Sequence, residues 1–536
     1  MSRDKTKNIK ARPVDKLSQE KGTIIKDWGG RLPIALIYPN SYYLGMSNLG
    51  IHAIYSLLNS YHGVVCERVF WEKESRGKTA LSLESRRPLS DFAVLAFSIS
   101  YELDYFNVAQ ILRAGGIPLY STERDERHPL IIAGGPCLTA NPTPVSPFFD
   151  CLGIGEAEAI LPTMLPLLSE GIGGKRDELL KTLASVPGVY VPQYSGTPVV
   201  RQWTRNLDDF PVTSTVLTTD TELGDLYLIE VERGCNRGCR FCLVSTTFSP
   251  MRFRSVDKLL EQAEQGLKYR KRIGLVGPAV SDYPKLEELL AGLRQMGAEF
   301  SLSSLRASQL TDKVLEEIAR GGPRTITLAP EAGSRRLRQA IKKGISEDNI
   351  LATTGKLAEQ STKQLKLYFM IGLPSETDED IEEIIELTLK CKDIINKRQS
   401  GTRLTLNIAP FVPKAGTPFQ WLPMAPIPTL NHRLSLLKSK LPPKGIKLKC
   451  ESPAWSQVQG VLARGDVRVT EVLANIEEIS LAGWRQAIKK HSLNVDYYVN
   501  QRWDISDKLP WAVIDSGTKA SYLESELDKA LSQAQR

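Results

Sequence analysis

Apolar positions along the chain fall into two long alternations of short runs and wider periodic stretches. In the first, IALIYP (34–39), AVLAFSIS (93–100), LIIAGG (130–135) and CLGIG (151–155) read as strands. Between them, SNLGIHAIYSLLNS (47–60) and LDYFNVAQILRAGG (103–116) carry the three-to-four-residue apolar spacing of helices. Strand and helix alternating at this length predict a parallel, doubly wound, Rossmann-like α/β sheet over 31–195. Residues 196–222 lack a helical period and read as a linker with a short β excursion. A second alternation predicts strands at 227–232, 272–277, 299–304, 324–329, 365–372 and 403–409, with amphipathic helices between, among them DEDIEEIIELTLKCKDII (378–395) with its acidic first turn. Six β–α units over 223–440 predict a partial (β/α)6 barrel of the TIM type, short of the eight that close one. Residues 441–536 lose the alternation and gather Trp455, Trp484, Trp503 and Trp511, which suggests a small C-terminal α+β domain.

Composition changes this picture little. The 536 residues suffice for about three domains. The net charge of +8, from 69 basic and 61 acidic side chains, is spread along the chain. It permits an anionic partner such as RNA without demanding one. The first 30 residues are polar and Lys-rich, as a flexible charged leader would be, with no secretory apolar stretch. No run of about 18 apolar residues occurs, so no membrane helix is expected and a cytoplasmic location is. Clustered cysteines in a reducing compartment point to metal or redox chemistry in place of disulfides.

The eight cysteines include one compact group. VERGCNRGCRFC (231–242) places Cys235, Cys239 and Cys242 as Cys-x3-Cys-x2-Cys directly after a predicted strand. Three thiolates in one short loop can hold three irons of a [4Fe–4S] cluster, which normally takes four cysteines. A missing fourth protein ligand leaves one iron open to a chelating substrate, as catalytic metal sites do. Gly234 and Gly238 let the backbone curl round the cluster. The alternatives are a zinc site and three unrelated cysteines. Zinc needs a fourth thiolate or imidazole, and none of His52, His62, His128, His432 and His491 is close in sequence, whereas Cys391 or Cys450 could approach in space.

With its aromatic Phe241 before the last cysteine, the triplet resembles the signature of radical S-adenosylmethionine (SAM) enzymes. That resemblance implies a [4Fe–4S] cluster on Cys235, Cys239 and Cys242. The open iron would chelate SAM, and one electron would cleave SAM to a 5′-deoxyadenosyl radical that abstracts hydrogen from a substrate. It also implies a set of SAM-contacting positions. Phe241 would lie beside the adenine. Gly277, in GLVGPAVSD (274–282), looks like the family's glycine-rich contact with the SAM amino group, without the usual acidic ending. Ser303 and Arg306, in SSLRAS (303–308), end the third strand, where Arg306 looks like a partner of the SAM carboxylate. Glu331 ends the fourth strand and resembles the polar residue contacting the ribose or amino group. Gly372 and Leu373, in YFMIGLPSET (368–377), look like the Gly-Leu-Pro turn facing the adenine.

The N-terminal region resembles the cobalamin-binding domains that commonly precede such barrels. Gly134 and Gly135, in IIAGGPCLTANP (131–142), look like the turn beneath the nucleotide tail, and Gly155, in GIGEAEAILP (153–162), like the start of the next unit. Many such domains carry Asp-x-His-x-x-Gly after the first strand, its His ligating cobalt; here the stretch is YPNSYYLGMSNLG (38–50), with no His. Cobalamin therefore binds without a protein lower ligand or does not bind. A second cluster of the methylthiotransferase kind would need Cys66, Cys137 and Cys151, whose gaps of 71 and 14 residues do not match that family's spacing. Further segments, SISYELDYFNVAQILRAGGIPL (98–119), NIAPFVPKAGTPFQW (407–421), LARGDVRV (462–469) and LPWAVIDSG (509–517), resemble a widespread bacterial group that joins a cobalamin-like domain to a radical SAM core. The resemblance implies an enzyme modifying an unactivated carbon, with cobalamin-assisted methylation as one route, a flavodoxin or ferredoxin as reductant, and RNA or protein as substrate. Rival readings are a cobalamin-free radical SAM enzyme of sulfur insertion or rearrangement, and a non-catalytic RNA- or ribosome-associated metal-binding protein.

Overall fold

The computed structural model describes residues 16–72, 77–303, 305, 311, 314–317, 325–360 and 362–534. Its fold is mixed α/β with three main parallel sheets. The first has six strands, β1 Leu32–Tyr38, β2 Val64–Phe70, β3 Val94–Ser98, β4 Leu130–Gly134, β5 Cys151–Gly153 and β6 Val189–Tyr190, in the order 2-1-3-4-5-6. All neighbours are parallel except β5 and β6. Helices cover both faces, so β1 is buried along nearly its whole length and reads as one apolar run, not as an alternation. Helices α1 Leu49–Ser60 and α3 Ala157–Gly171 share one apolar cluster with the sheet, while α2 Tyr105–Ala114 packs into another.

The second sheet is β7 Leu226–Glu230, β8 Arg272–Val276 and β9 Glu299–Leu302. The third is β10 Thr325–Glu331, β11 Gln364–Ile371, β12 Arg403–Pro410 and β13 Lys447–Cys450. Each is parallel throughout, and among the described residues they form separate ladders. The six strands predicted here are all present within a few residues of their expected bounds. β13 is a seventh, in a stretch assigned above to the C-terminal domain. One apolar cluster joins strands and helices of both sheets. Helix α4 Arg335–Ala340 follows β10. Helix α5 Asp378–Lys397 begins at a capping box between Thr377 and Asp380, as its acidic first turn predicts.

The C-terminal region is helical, with α6 Pro453–Arg464 and α7 Ala520–Ala534 its longest elements. Beyond β13, its described strand is Ile514–Asp515, which has two residues and pairs with Val199–Val200, so the expected α+β character reduces to a single short ladder. This region does not stand apart. Phe106 of α2 meets Trp455 and Trp484 edge-on, and Asn141 donates hydrogen bonds to the carbonyls of Ala463 and Gly465. Residues 16–30, expected within the charged leader, are tied down where Glu20 pairs with the enclosed Arg68 at 2.6 Å. No described helix is long and apolar enough to cross a membrane.

Candidate active site

β7 runs through Val231 into a two-residue strand, Glu232–Arg233, that pairs antiparallel with Arg252–Phe253. The chain between is a closed loop carrying Cys235, Cys239 and Cys242. Gly234 has φ +89°, and a Cβ there would sit 2.4 Å from the Phe248 carbonyl oxygen, so only glycine closes the loop. Cys239 is buried, and Cys235 and Cys242 are half-buried. No cysteine of the chain is in a disulfide. Burial pushes the Cys242 thiol up to about 11, and the nearby Cys239 and Cys235 add to the shift while Lys343 opposes it. Among the described residues no three His, Cys, Asp or Glu side chains converge on one point as the ligands of a single metal ion do.

Salt links hold this loop from three sides. Arg233 donates to Glu156 at 2.9 Å and to Glu158 at 3.0 Å, both at the start of α3, and Arg252 donates to Glu156 at 2.6 Å. The base of the loop is thereby keyed to the N-terminal sheet. Arg237 grips Asp282 with two hydrogen bonds of 2.7 and 2.8 Å. Arg240, itself enclosed, donates to the Ala340 carbonyl at 2.7 Å, to Gln533 at 2.7 Å and to Glu526 at 3.1 Å. None of these partners was singled out from the sequence. The arginines are visible in VERGCNRGCRFC, but their carboxylates come from remote segments.

The other expected SAM positions sort unevenly. Gly277 and Ser303 come together at the ends of β8 and β9: Ser303 Oγ accepts from the Gly277 amide at 3.2 Å and donates to its carbonyl at 2.9 Å. Glu232 lies against them, since a Cβ on Gly277 would be 2.6 Å from its Cγ. The Glu232 carboxyl is buried, accepts from the Ala279 amide at 2.6 Å through one oxygen, and has no described partner for the other. Burial raises it to about 7, with Asp282 adding. Arg306 lies outside the described residues. Glu331, at φ +69° beside a register shift in β10, pairs with Lys343 at 3.0 Å. Gly372, at φ +80°, gives its amide to Glu376, and a Cβ there would meet Leu430 at 2.6 Å. Leu373 is buried, and Phe241 is half-buried against the same apolar cluster.

Beside the loop is a cavity of about 450 Å³. Its walls are the apolar faces of α1 and α3 and the strands between them, including Ala53, Leu57, Ala96, Ile132 and Met164. Gly134, Gly135 and Gly155 sit at one end, and Arg233, Thr247 and Phe248 bring the flank of the cysteine loop to it. Two of the glycines have a reason of their own in the protein. A Cβ on Gly135 would be 2.1 Å from the Ile99 carbonyl oxygen, and one on Gly155 2.0 Å from that of Gln202. Backbone crossing, and not a ligand, forces glycine there. At Gly134 the nearest atom would be 3.8 Å away, so that position is open.

Three thiols thus stand in one loop at the end of a parallel strand of this α/β fold. The chain matches the family described as Radical SAM proteins, N-terminal, over residues 50–192, and the Radical SAM superfamily over residues 229–388. An uncharacterized protein of Methanocaldococcus jannaschii is 32% identical over 447 residues, covering 82% of this chain and 90% of the relative. The chain belongs to the radical SAM superfamily, is a radical SAM enzyme, and takes that family's [4Fe–4S] cluster and SAM as cofactors. A tRNA-2-methylthio-N(6)-dimethylallyladenosine synthase of Petrotoga mobilis is 26% identical over 204 residues, 35% of this chain and 44% of that one. In fold, the chain is similar to the radical SAM methyltransferase TsrM of Kitasatospora setae, solved with cobalamin and a [4Fe–4S] cluster bound. The TM-score is 0.52 at 12% identity, over 86% of this chain and 99% of that one.

Proposed function

We propose that Cys235, Cys239 and Cys242 hold the cluster and that the enzyme methylates an unactivated carbon with the help of a corrinoid seated between α1, α3 and the six-stranded sheet. When bound, the cluster supplies an electron to SAM and the corrinoid supplies a methyl carrier. The chain's own part is to place the two side by side: Arg233 and Arg252 lock the base of the cysteine loop onto Glu156 at the mouth of the cavity. The single observation carrying the corrinoid reading is the cavity itself, apolar, of about 450 Å³, and shared by the N-terminal helices and the flank of the cysteine loop. A pocket of that size and apolar lining suits the flat aromatic base at the end of a corrinoid's nucleotide tail, the amide-rimmed ring being too large and too polar for it. The two parallel ladders, β7–β9 and β10–β12, are read as arcs of one partial (β/α)6-type barrel over 223–440, with β13 adding a seventh strand at its edge, 31–195 as the cobalamin-binding-like unit and 196–222 joining them. Gly277 and Ser303 are assigned to the SAM site, and Glu331 to a position held beside it by Lys343.

The absence of His from 38–50 and the backbone reasons for Gly135 and Gly155 support a second reading, a cobalamin-free radical SAM enzyme. Relatives named as acting on tRNA, and the +8 charge, support RNA as the substrate class. Purification without oxygen decides between the readings. Corrinoid absorption in the visible spectrum, with 5′-deoxyadenosine released on adding dithionite, is the expected result. Release without corrinoid favours the second reading, and no release from cluster-loaded protein overturns both.

A further inference from the structure

The carboxylates round the base of the cysteine loop have arginines, with one exception. Glu156 takes Arg233 at 2.9 Å and Arg252 at 2.6 Å. Glu230 takes Arg233 at 2.9 Å and Arg254 at 2.6 Å, and Asp282 takes Arg237 at 2.7 Å. Glu232 has no cation among the described residues. It is 1% exposed, one oxygen accepts from the Ala279 amide at 2.6 Å, and the other is enclosed without a described partner. The charge that bears on it most is a second acid, Asp282. A buried carboxylate in such a place is costly until a cation answers it, so it marks where one belongs.

What separates this carboxyl from the open ends of β8 and β9 is a residue with no side chain. A Cβ on the half-buried Gly277 would lie 2.6 Å from Glu232 Cγ and 3.0 Å from its Oε1. The exposed Ser303 closes on Gly277 from the other side, through the two hydrogen bonds described above. Glu232 therefore borders the strand ends across one glycine backbone, on the strand that leads into the cysteine loop. In so enclosed a setting a charge is felt over several ångströms without direct contact.

SAM carries a fixed positive charge on its sulfur, whereas in S-adenosylhomocysteine the sulfur is neutral. Adenine, ribose and the amino-acid end are common to both. A carboxylate near that sulfur favours the charged ligand alone, and discrimination is a difference of affinities of this kind.

We propose that Glu232, behind Gly277, is the counter-charge of the SAM sulfonium and sets the site's preference for SAM over S-adenosylhomocysteine; this rests on the assignment of Gly277 and Ser303 to the SAM site. Its part is specificity, and it transfers neither proton nor electron.

Equilibrium binding without reductant tests this on cluster-loaded full-length protein, with SAM and S-adenosylhomocysteine as the two probes. The parent should bind SAM about tenfold more tightly than S-adenosylhomocysteine. Glu232→Gln keeps the acceptor for the Ala279 amide and removes the charge. Its Kd for SAM should rise about tenfold, while that for S-adenosylhomocysteine stays within about twofold and iron content stays at the parent's level. Glu232→Asp, which returns the charge on a shorter stem, should recover part of the preference. A merely structural role would move both Kd values together, so parallel loss in Glu232→Gln overturns the proposal, as does an undiminished preference for SAM. A parent protein that carries its cluster and binds neither probe overturns the assignment of Gly277 and Ser303, and the proposal with it.

Discussion

A carboxyl group closed off from water, with one oxygen unmatched, holds its proton more tightly than it does in the unfolded chain. Glu232 is in that position, raised to about 7 from an ordinary 4.5. Folding therefore takes up a proton between those values, and stability falls as pH rises from about 4.5 to 7 and stays low above. At 1.36 kcal/mol per unit, the penalty at pH 8 is on the order of 3 kcal/mol. Glu232→Gln keeps the acceptor for the Ala279 amide and removes the charge. Urea unfolding of the cluster-free protein should find the variant more stable by about that amount at pH 8 and by less than about 1 kcal/mol at pH 5; equal stability at both would mean the carboxylate has a partner at pH 8. The cysteines are predicted at the same scale. Cys239→Ser should cut iron and acid-labile sulfide to a small fraction of the parent's, whereas Cys391→Ser, in a helix of the third sheet's cover, should leave both unchanged. The triplet was readable because its chemistry is packed into eight residues. Glu232 was not, because burial and a missing partner are properties of the folded neighbourhood: its one hydrogen-bond donor is 47 residues away.

Elements repeat this division between near and far. The strands legible from the apolar pattern are unbroken apolar runs such as β1, buried on both faces, and alternations such as β11, buried on one. β2, with the sequence VVCERVF, was missed because Glu67 and Arg68 interrupt the run, yet both are buried. Arg68 is satisfied by Glu20 and Glu84, and Glu67 accepts from Trp28 and Ser85, so polar residues occupy core positions with their partners supplied from other segments. Periodicity finds apolar faces and is blind to such pairs. β13, KLKC, was missed for the opposite reason: a half-exposed edge strand presents lysines on its outer face. The link between α7 and the cysteine loop was equally hidden, since Arg240 and Glu526 stand 286 residues apart. Burial alone would raise Glu526, but hydrogen bonds from Lys529, Lys342 and Arg240 outweigh it and hold it at about 2. That support is complete above about pH 5 and is lost as pH falls toward 2. Removing Glu526 leaves the enclosed Arg240 without its carboxylate, at about 3–5 kcal/mol. Glu526→Ala should therefore free α7, read as faster proteolysis near residue 520 and quicker cluster loss to a chelator. An apolar replacement of both partners, Arg240→Met with Glu526→Leu, should recover most of the stability. If Glu526→Ala changes neither readout, α7 does not hold the loop.

At the scale of the whole molecule, the two matched families meet at the Arg233–Glu156–Arg252 knot, and the large cavity opens beside it. The chain leaving the C-terminal end of β5 brings Glu156 to this junction and the chain leaving β7 brings Arg233, and ligands of open α/β sheets collect at such strand ends. A linking role for the C-terminal helices follows from their sharing one core with α2. The cavity gives the arrangement a test that separates its parts. Ala53 of α1 lines the cavity, and a tryptophan there would extend into it. Because the volume is empty, Ala53→Trp should cost little stability, unlike the same change in a packed core. Corrinoid retained through anaerobic purification should fall at least tenfold, while iron content and dithionite-driven 5′-deoxyadenosine release stay at the parent's level. That split is expected only if the cavity serves a cofactor separate from the cluster and SAM. Joint loss of corrinoid and SAM cleavage would mean that the two sites share their walls, and full corrinoid in the variant would remove the cavity from the corrinoid's binding altogether.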